Sequence, residues 1–283
     1  MSDSRAVGRS MWQFYVLTYG ITLLTWGSMI ILRMPGGSTD PNAPPPAPLA
    51  LLLLVLGGFA PSIAGVVVTW RVQGTSGLRD LWQRLTRFAL GWRAYLVIVL
   101  LPLLLVALRA ALHLFGGGGL ARTALLADPL TLAAFCTQIA LFGPISEEFG
   151  WRGFALDGLL ARWRPRGASL VLGILWAFWH LPLFFIPGTA QAGYGSPLLE
   201  FPVFALMLIG SAVVYTWLYL GTGHSLWSAI LFHFTFNFCV SFWATLANDG
   251  WTGRWVSAVV FLAAAVIFSS PRLTSANAIK AAP

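Results

Sequence analysis

The sequence predicts an all-α fold, a polytopic membrane bundle of about eight transmembrane helices. Two observations lead there. Of the 283 residues, 58% are hydrophobic and only 9% charged, against about 25% charged in soluble domains. The apolar residues also gather into eight runs, each near the length of about 20 residues that a crossing needs. Mean hydropathy is +0.77.

The runs are residues 11–32, 49–70, 94–115, 130–161, 168–186, 201–220, 225–247 and 255–270. Arg5 and Arg9 precede the first. It is longer than the apolar region of a signal peptide, and no small-residue cleavage site follows, so it is expected to be a retained span. The fourth is too long for one perpendicular crossing. Its Gly143-Pro144 pair is expected to kink or break it just before two glutamates. Gly/Pro-rich stretches at 40–48, 116–129 and 187–197 read as loops. Residues 71–93 differ. Leu78, Leu81, Trp82, Leu85, Phe88 and Leu90 recur near helical spacing with Arg79, Arg84 and Arg87 between them, the pattern of an amphipathic helix on an anionic membrane face.

The net charge is +8, which by itself would suit a nucleic-acid partner. The basic residues sit in the connections instead, so the expected partner is the lipid bilayer and no nucleic acid. With eight spans, both termini share one side. That side collects Arg5, Arg9, Arg71, Arg79, Arg84, Arg87, Arg93, Arg162, Arg164, Arg166, Arg272 and Lys280, and the other only Arg33, Arg122 and Arg254. Both termini are therefore expected in the cytoplasm, with the protein integral to a bacterial-type plasma membrane. Cys136 and Cys239 lie in apolar runs and are expected to be core residues. Arg109, near the far end of the third run, is expected to snorkel. His224, in GTGHS, is expected in solvent or at the interface.

The runs also hold charges that are expensive at mid-membrane, at least about 2.5–3.5 kcal/mol each. Glu147, Glu148 and Arg152 stand in GPISEEFGWRG. Glu148 and Arg152 are i,i+4 and can pair on one helix face. Glu147 points about 100° away and is left for another partner. His180 ends WAFWH, and His233 and Asn237 share a face in HFTFN. Counted at about 1.5 Å per residue from the ends assigned to the cytoplasm, Glu147 lies about 21 Å deep, His180 and Asn237 about 18 Å and His233 about 12 Å. Four polar groups on three helices thus share one slab. Singly, a histidine or asparagine there reads as interhelical glue, and Glu148–Arg152 as a structural pair. Together they read as a site. Glu147 can activate water as a general base, and histidine and asparagine can donate to an oxyanion. Alternatively, Glu147, His180 and His233 can hold one zinc ion with water in the fourth position. A non-enzymatic scaffold or a proton-coupled carrier would use the same groups as a relay.

EEFGWR, WAFWH and HFTFN, in this order on hydrophobic segments, resemble the E-E-x-x-x-R, apolar-His and H-x-x-x-N motifs of the CPBP (Abi) family of intramembrane proteases, relatives of the Ras-converting CaaX prenyl protease. The resemblance spans residues 130–247. One departure is Trp176, where the family usually has phenylalanine. The resemblance implies a helical bundle with a cavity open to the cytosol. It also implies an endopeptidase acting on a membrane-associated peptide or lipidated protein, of which the best-known substrates are prenylated C-terminal tripeptides. Glu147 would be the water-activating base with His180 near the same water. Glu148 and Arg152 would orient it, and His233 with Asn237 would form the oxyanion hole. The family is usually called metalloprotease. No cofactor is expected here, since asparagine is a poor zinc ligand and HFTFN suits the oxyanion role. A bacteriocin-immunity role is the non-enzymatic expectation. The chain divides into N-terminal helices with the basic segment (1–127), a protease-like core (128–247), and a last helix with its tail (248–283).

Overall fold

The computed structural model describes residues 2–37 and 46–269, and of 2–9 and 124 the backbone alone. Most of the 40–48 loop, the end of the last run at 270, Arg272 and Lys280 lie outside the described residues. Within them the chain is helical with no strand. Eight helices are long and apolar enough to cross a membrane. They are α1 (Ser2–Ile31), α2 (Pro48–Leu85), α3 (Trp92–Phe115), α4 (Pro129–Leu160), α5 (Pro165–His180), α6 (Pro197–Gly221), α7 (Leu226–Leu246) and α8 (Gly250–Phe268). This is an integral membrane protein. Leucines such as Leu100, Leu103 and Leu104 on α3 are exposed, as lipid contact requires.

Outward apolar faces cannot drive helices together in lipid, so small residues and interhelical hydrogen bonds do it. Helix α2 lays Ala60, Pro61, Ala64 and Gly65, all mostly or fully buried, against α4. A Cβ on Gly150 would stand 2.2 Å from the Pro61 carbonyl oxygen, and one on Gly65 2.7 Å from that of Phe149. Only glycine permits this crossing. Elsewhere Trp179 Nε1 donates to Thr22 Oγ1 at 2.7 Å, tying α5 to α1, and Ser169 Oγ to Thr216 Oγ1 at 2.8 Å, tying α5 to α6. Thr235 Oγ1 donates to the Ile98 carbonyl at 2.9 Å, tying α7 to α3.

Helix α4 departs from regularity twice. Residues Leu141–Ile145 form a π-helical turn, with Phe142 at φ −97°, ψ 26°, where the Gly143-Pro144 break is expected. Proline cannot donate, and the widened turn absorbs the missing bond. Ser62 Oγ on α2 donates to the Ile145 carbonyl at 3.0 Å, and Ser146 Oγ to that of Gly143 at 3.1 Å. A second π-helical turn, Trp151–Ala155, carries Arg152. Gly153 lies inside it, but no proline does.

The basic segment corrects its expectation. Helix α2 continues through a kink at Gly74 (φ 64°, ψ −152°) and ends at Leu85, not near Arg93. Leu81 is buried against Leu226 and Ile230. Arg84 is buried too: Nη1 donates to Asp157 Oδ2 at 2.8 Å and Tyr219 Oη at 2.7 Å, and Nη2 to the Gly153 carbonyl at 3.0 Å. One face of the segment therefore docks on the turn that carries Arg152, because a guanidinium finds more acceptors there than on a lipid surface. His224 lies half exposed with Nδ1 3.4 Å from Asp157 Oδ1, so it joins this cluster. Cys136 and Cys239 are free and only half-buried, at the looser outer rim of α4 and α7.

Arg109 does not snorkel. It is buried, and Nε and Nη2 grip Asp249 Oδ2 and Oδ1, each at 2.7 Å, while Trp243 Nε1 donates to Oδ2 at 2.9 Å. A partner 140 residues away outweighs the bilayer edge. Burial alone would raise the Asp249 carboxyl, but the hydrogen bond and charge of Arg109, with the Trp243 indole, hold it below its ordinary value. A depressed folded value means stability fully present above the ordinary carboxylate range and lost as pH falls from there through the lower folded value. Thermal melting of purified protein should therefore weaken on acidification. Asp249→Asn should melt lower at neutral pH, by about 2–4 °C per kcal/mol lost, and show a flatter acid dependence.

Candidate active site

The site lies where α4, α5 and α7 meet, closed on one side by Tyr215 of α6. The two glutamates diverge as helical geometry requires. Glu148 Oε1 accepts from Arg152 Nη1 at 2.8 Å and lies 2.7 Å from His233 Nδ1. Glu147 Oε2 accepts from Trp176 Nε1 at 2.5 Å. The expected Glu148–Arg152 pair is present, and His233 is its third member.

Arg152 is fully buried, its Cζ 3.7 Å from the Tyr215 ring centroid and 4.3 Å from that of Trp176. Such a sandwich offsets part of the cost of a desolvated guanidinium. His180 Nδ1 lies 2.9 Å from the Trp176 carbonyl oxygen, the geometry of an N–H donating along one helical turn. That bond sets the ring's orientation, and Trp179 and Phe204 pack edge-on against it. His180 thus reaches the cluster through Trp176 and not by a direct bond to Glu147.

With Nδ1 committed to Glu148, His233 turns Nε2 toward α4. A Cβ on Gly143 would lie 3.4 Å from His233 Nε2 and 2.6 Å from Asn237 Nδ2. Both nitrogens therefore converge above the backbone of Gly143, and the missing side chain leaves room for the Asn237 amide. Sequence reading treated Gly143 only as a breaker. The overlooked signal is a glycine four residues before Glu147 on the same helix.

The structure encloses this cluster more than the expected wet cavity suggests. Glu147 and His233 keep 4% exposure, His180 8%, and Glu148 and Arg152 none. Trp151, Trp176 and Tyr215 fill the space around them. Glu148 Oε2, Arg152 Nε and Nη2, and the Tyr215 hydroxyl have no hydrogen-bond partner among the described residues. Buried polar groups are normally satisfied, and a concentration of exceptions marks a functional locus. Among the described residues, no three His, Cys, Asp or Glu side chains are gathered as a metal-ligand set. His180 and His233 each have Nδ1 engaged and, among the described residues, Nε2 free, as a ligating histidine also would. As placed, Glu147, His180 and His233 are not gathered closely enough for the zinc arrangement.

Fold and site define a polytopic membrane protein with a buried glutamate–histidine cluster. Residues 127–239 match the family described as Type II CAAX prenyl endopeptidase Rce1-like. The chain is 25% identical over 228 residues to CAAX prenyl protease 2 of Methanococcus maripaludis, covering 79% of this chain and 81% of that relative. Both matches agree with the family resemblance read from the three motifs: residues 127–239 are similar to the Rce1-like CAAX prenyl endopeptidases. That family supports an intramembrane protease function.

Proposed function

We propose that the protein is an intramembrane endopeptidase that hydrolyses a peptide bond of a prenylated, membrane-associated substrate, with Glu147 as general base. The observation that carries this reading is the convergence of all three motifs. The free glutamate, the Glu148–Arg152–His233 triplet and two nitrogens over Gly143 meet in one buried place.

Glu147 takes a proton from water as the water oxygen attacks the scissile carbonyl carbon. His180 holds that water from the opposite side. The carbonyl oxygen becomes an oxyanion and is met by the Asn237 amide and His233 Nε2. His233 can donate from Nε2 while Nδ1 donates to Glu148 only as an imidazolium, with both nitrogens protonated. Glu147 then passes its proton to the leaving amine as the C–N bond breaks. The products are the shortened substrate, ending in a new carboxylate, and a released peptide with a free amine.

No metal enters this scheme, and asparagine beside His233 supports an oxyanion hole over a ligand set. The charge bias of the connections supports both termini on the cytoplasmic side, where lipidated substrates would arrive. The test uses protein in liposomes and a farnesylated peptide with three residues beyond its modified cysteine. Asn237→Ala should lower kcat by about a hundred- to thousandfold with KM little changed, the usual cost of one oxyanion donor. Chelation should leave the wild type active. Near one zinc per chain that tracks activity through chelation and restoration would replace the base-only mechanism with the metal one.

A further inference from the structure

Trp176 is absent from the residues assigned to the reaction above, yet it touches most of them. It is 3% exposed on α5. Its indole N–H donates to Glu147, its ring backs Arg152, and its carbonyl oxygen receives His180 Nδ1. Its ring also packs edge-on against His233, centroids 5.7 Å apart, and against Tyr215 at 5.6 Å. A phenylalanine here could supply the ring contacts with Arg152, His233 and Tyr215. It could not supply the N–H. The N–H is the one feature of Trp176 that meets the carboxylate of Glu147.

We propose that Trp176 is a positioning residue: its indole N–H anchors Glu147 Oε2 and leaves Oε1 directed at the reacting water. This rests on Glu147 being the base. A carboxylate on a two-carbon stem can rotate about its terminal bond, whose torsional profile is broad. A hydrogen bond to one oxygen from a wedged indole removes that freedom. It also presents the other oxygen in a fixed direction, the kind of preorganisation that raises turnover without changing substrate affinity. Trp176 is itself fixed by the Tyr215 and His233 rings. The aromatic packing of α5, α6 and α7 is thereby transmitted to the base. His180 is oriented by the same residue, so one side chain and its carbonyl set two groups that face the water.

Two variants separate the N–H from the ring. Trp176→Phe keeps an aromatic ring, and β-(3-benzothienyl)alanine at 176 keeps the bicyclic shape with sulfur in place of N–H. Both are compared with wild type and Glu147→Gln in liposomes, using the farnesylated peptide as probe. Both should lower kcat by about 10–100-fold, as for loss of one hydrogen bond to a charged group, with KM within about twofold of wild type. The second readout needs no substrate. In protein with 15N-labelled tryptophan, the indole N–H resonance missing from the benzothienyl variant should lie downfield and move in Glu147→Gln. Wild-type kcat in the benzothienyl variant, with Glu147→Gln inactive, would overturn the positioning role and leave Glu147 as base. So would an indole resonance indifferent to Glu147→Gln, even where Trp176→Phe fails to fold. An active Glu147→Gln would remove the base assignment and this proposal together.

Discussion

Glu147→Gln should lower hydrolysis of the farnesylated peptide by about 10²–10⁴-fold, the range contributed by a positioned general base, while the protein stays folded. The contrast with Glu148 is what makes the expectation specific. Among the described residues Glu147 has one polar side-chain partner, the Trp176 indole. Glutamine keeps an oxygen that can accept that bond, so packing and the hydrogen bond survive and only the capacity to take a proton is lost. Melting temperature should change little, and KM should remain near wild type because binding contacts are untouched. The measurement is steady-state turnover in liposomes beside thermal melting of the same preparation. Near-wild-type turnover in this variant would mean that another group activates the water.

The largest stability effect should come from Arg152→Leu. The guanidinium is fully buried, bonded to Glu148, and sandwiched by Trp176 and Tyr215. Replacing it leaves Glu148 with His233 as its one remaining side-chain partner among the described residues, and breaking a buried pair costs about 3–5 kcal/mol. Activity should fall as well, since the His233 ring is set by Glu148, but the fall should follow unfolding. Glu148→Gln should behave similarly and less severely, because an amide still accepts from Arg152 or His233. Melting curves with and without each substitution decide this. An Arg152→Leu protein as stable as wild type would show that the cluster does not hold these helices together.

The one-dimensional pattern determined the eight crossings, the break at Gly143-Pro144, and the polar residues that share a slab of the bundle. These are local quantities: run length, proline chemistry and residues per turn fix them without reference to neighbours. The i,i+4 pairing of Glu148 with Arg152 was legible for the same reason. The opposite faces taken by Glu147 and Glu148 follow from the angle between adjacent helical residues. What only the tertiary structure decided are the partners across helices. Trp176 reached Glu147, His233 joined Glu148, Arg109 found Asp249, and Arg84 turned in to Asp157 and Tyr219. None of these has a sequence period, because each depends on which helix faces which and how closely. That closeness comes from glycines at the α2–α4 crossing and from two widened turns in α4. The first of these turns holds a proline as well as a glycine, and the second only a glycine. A helix tells its own residues where to point, but only packing supplies what they point at.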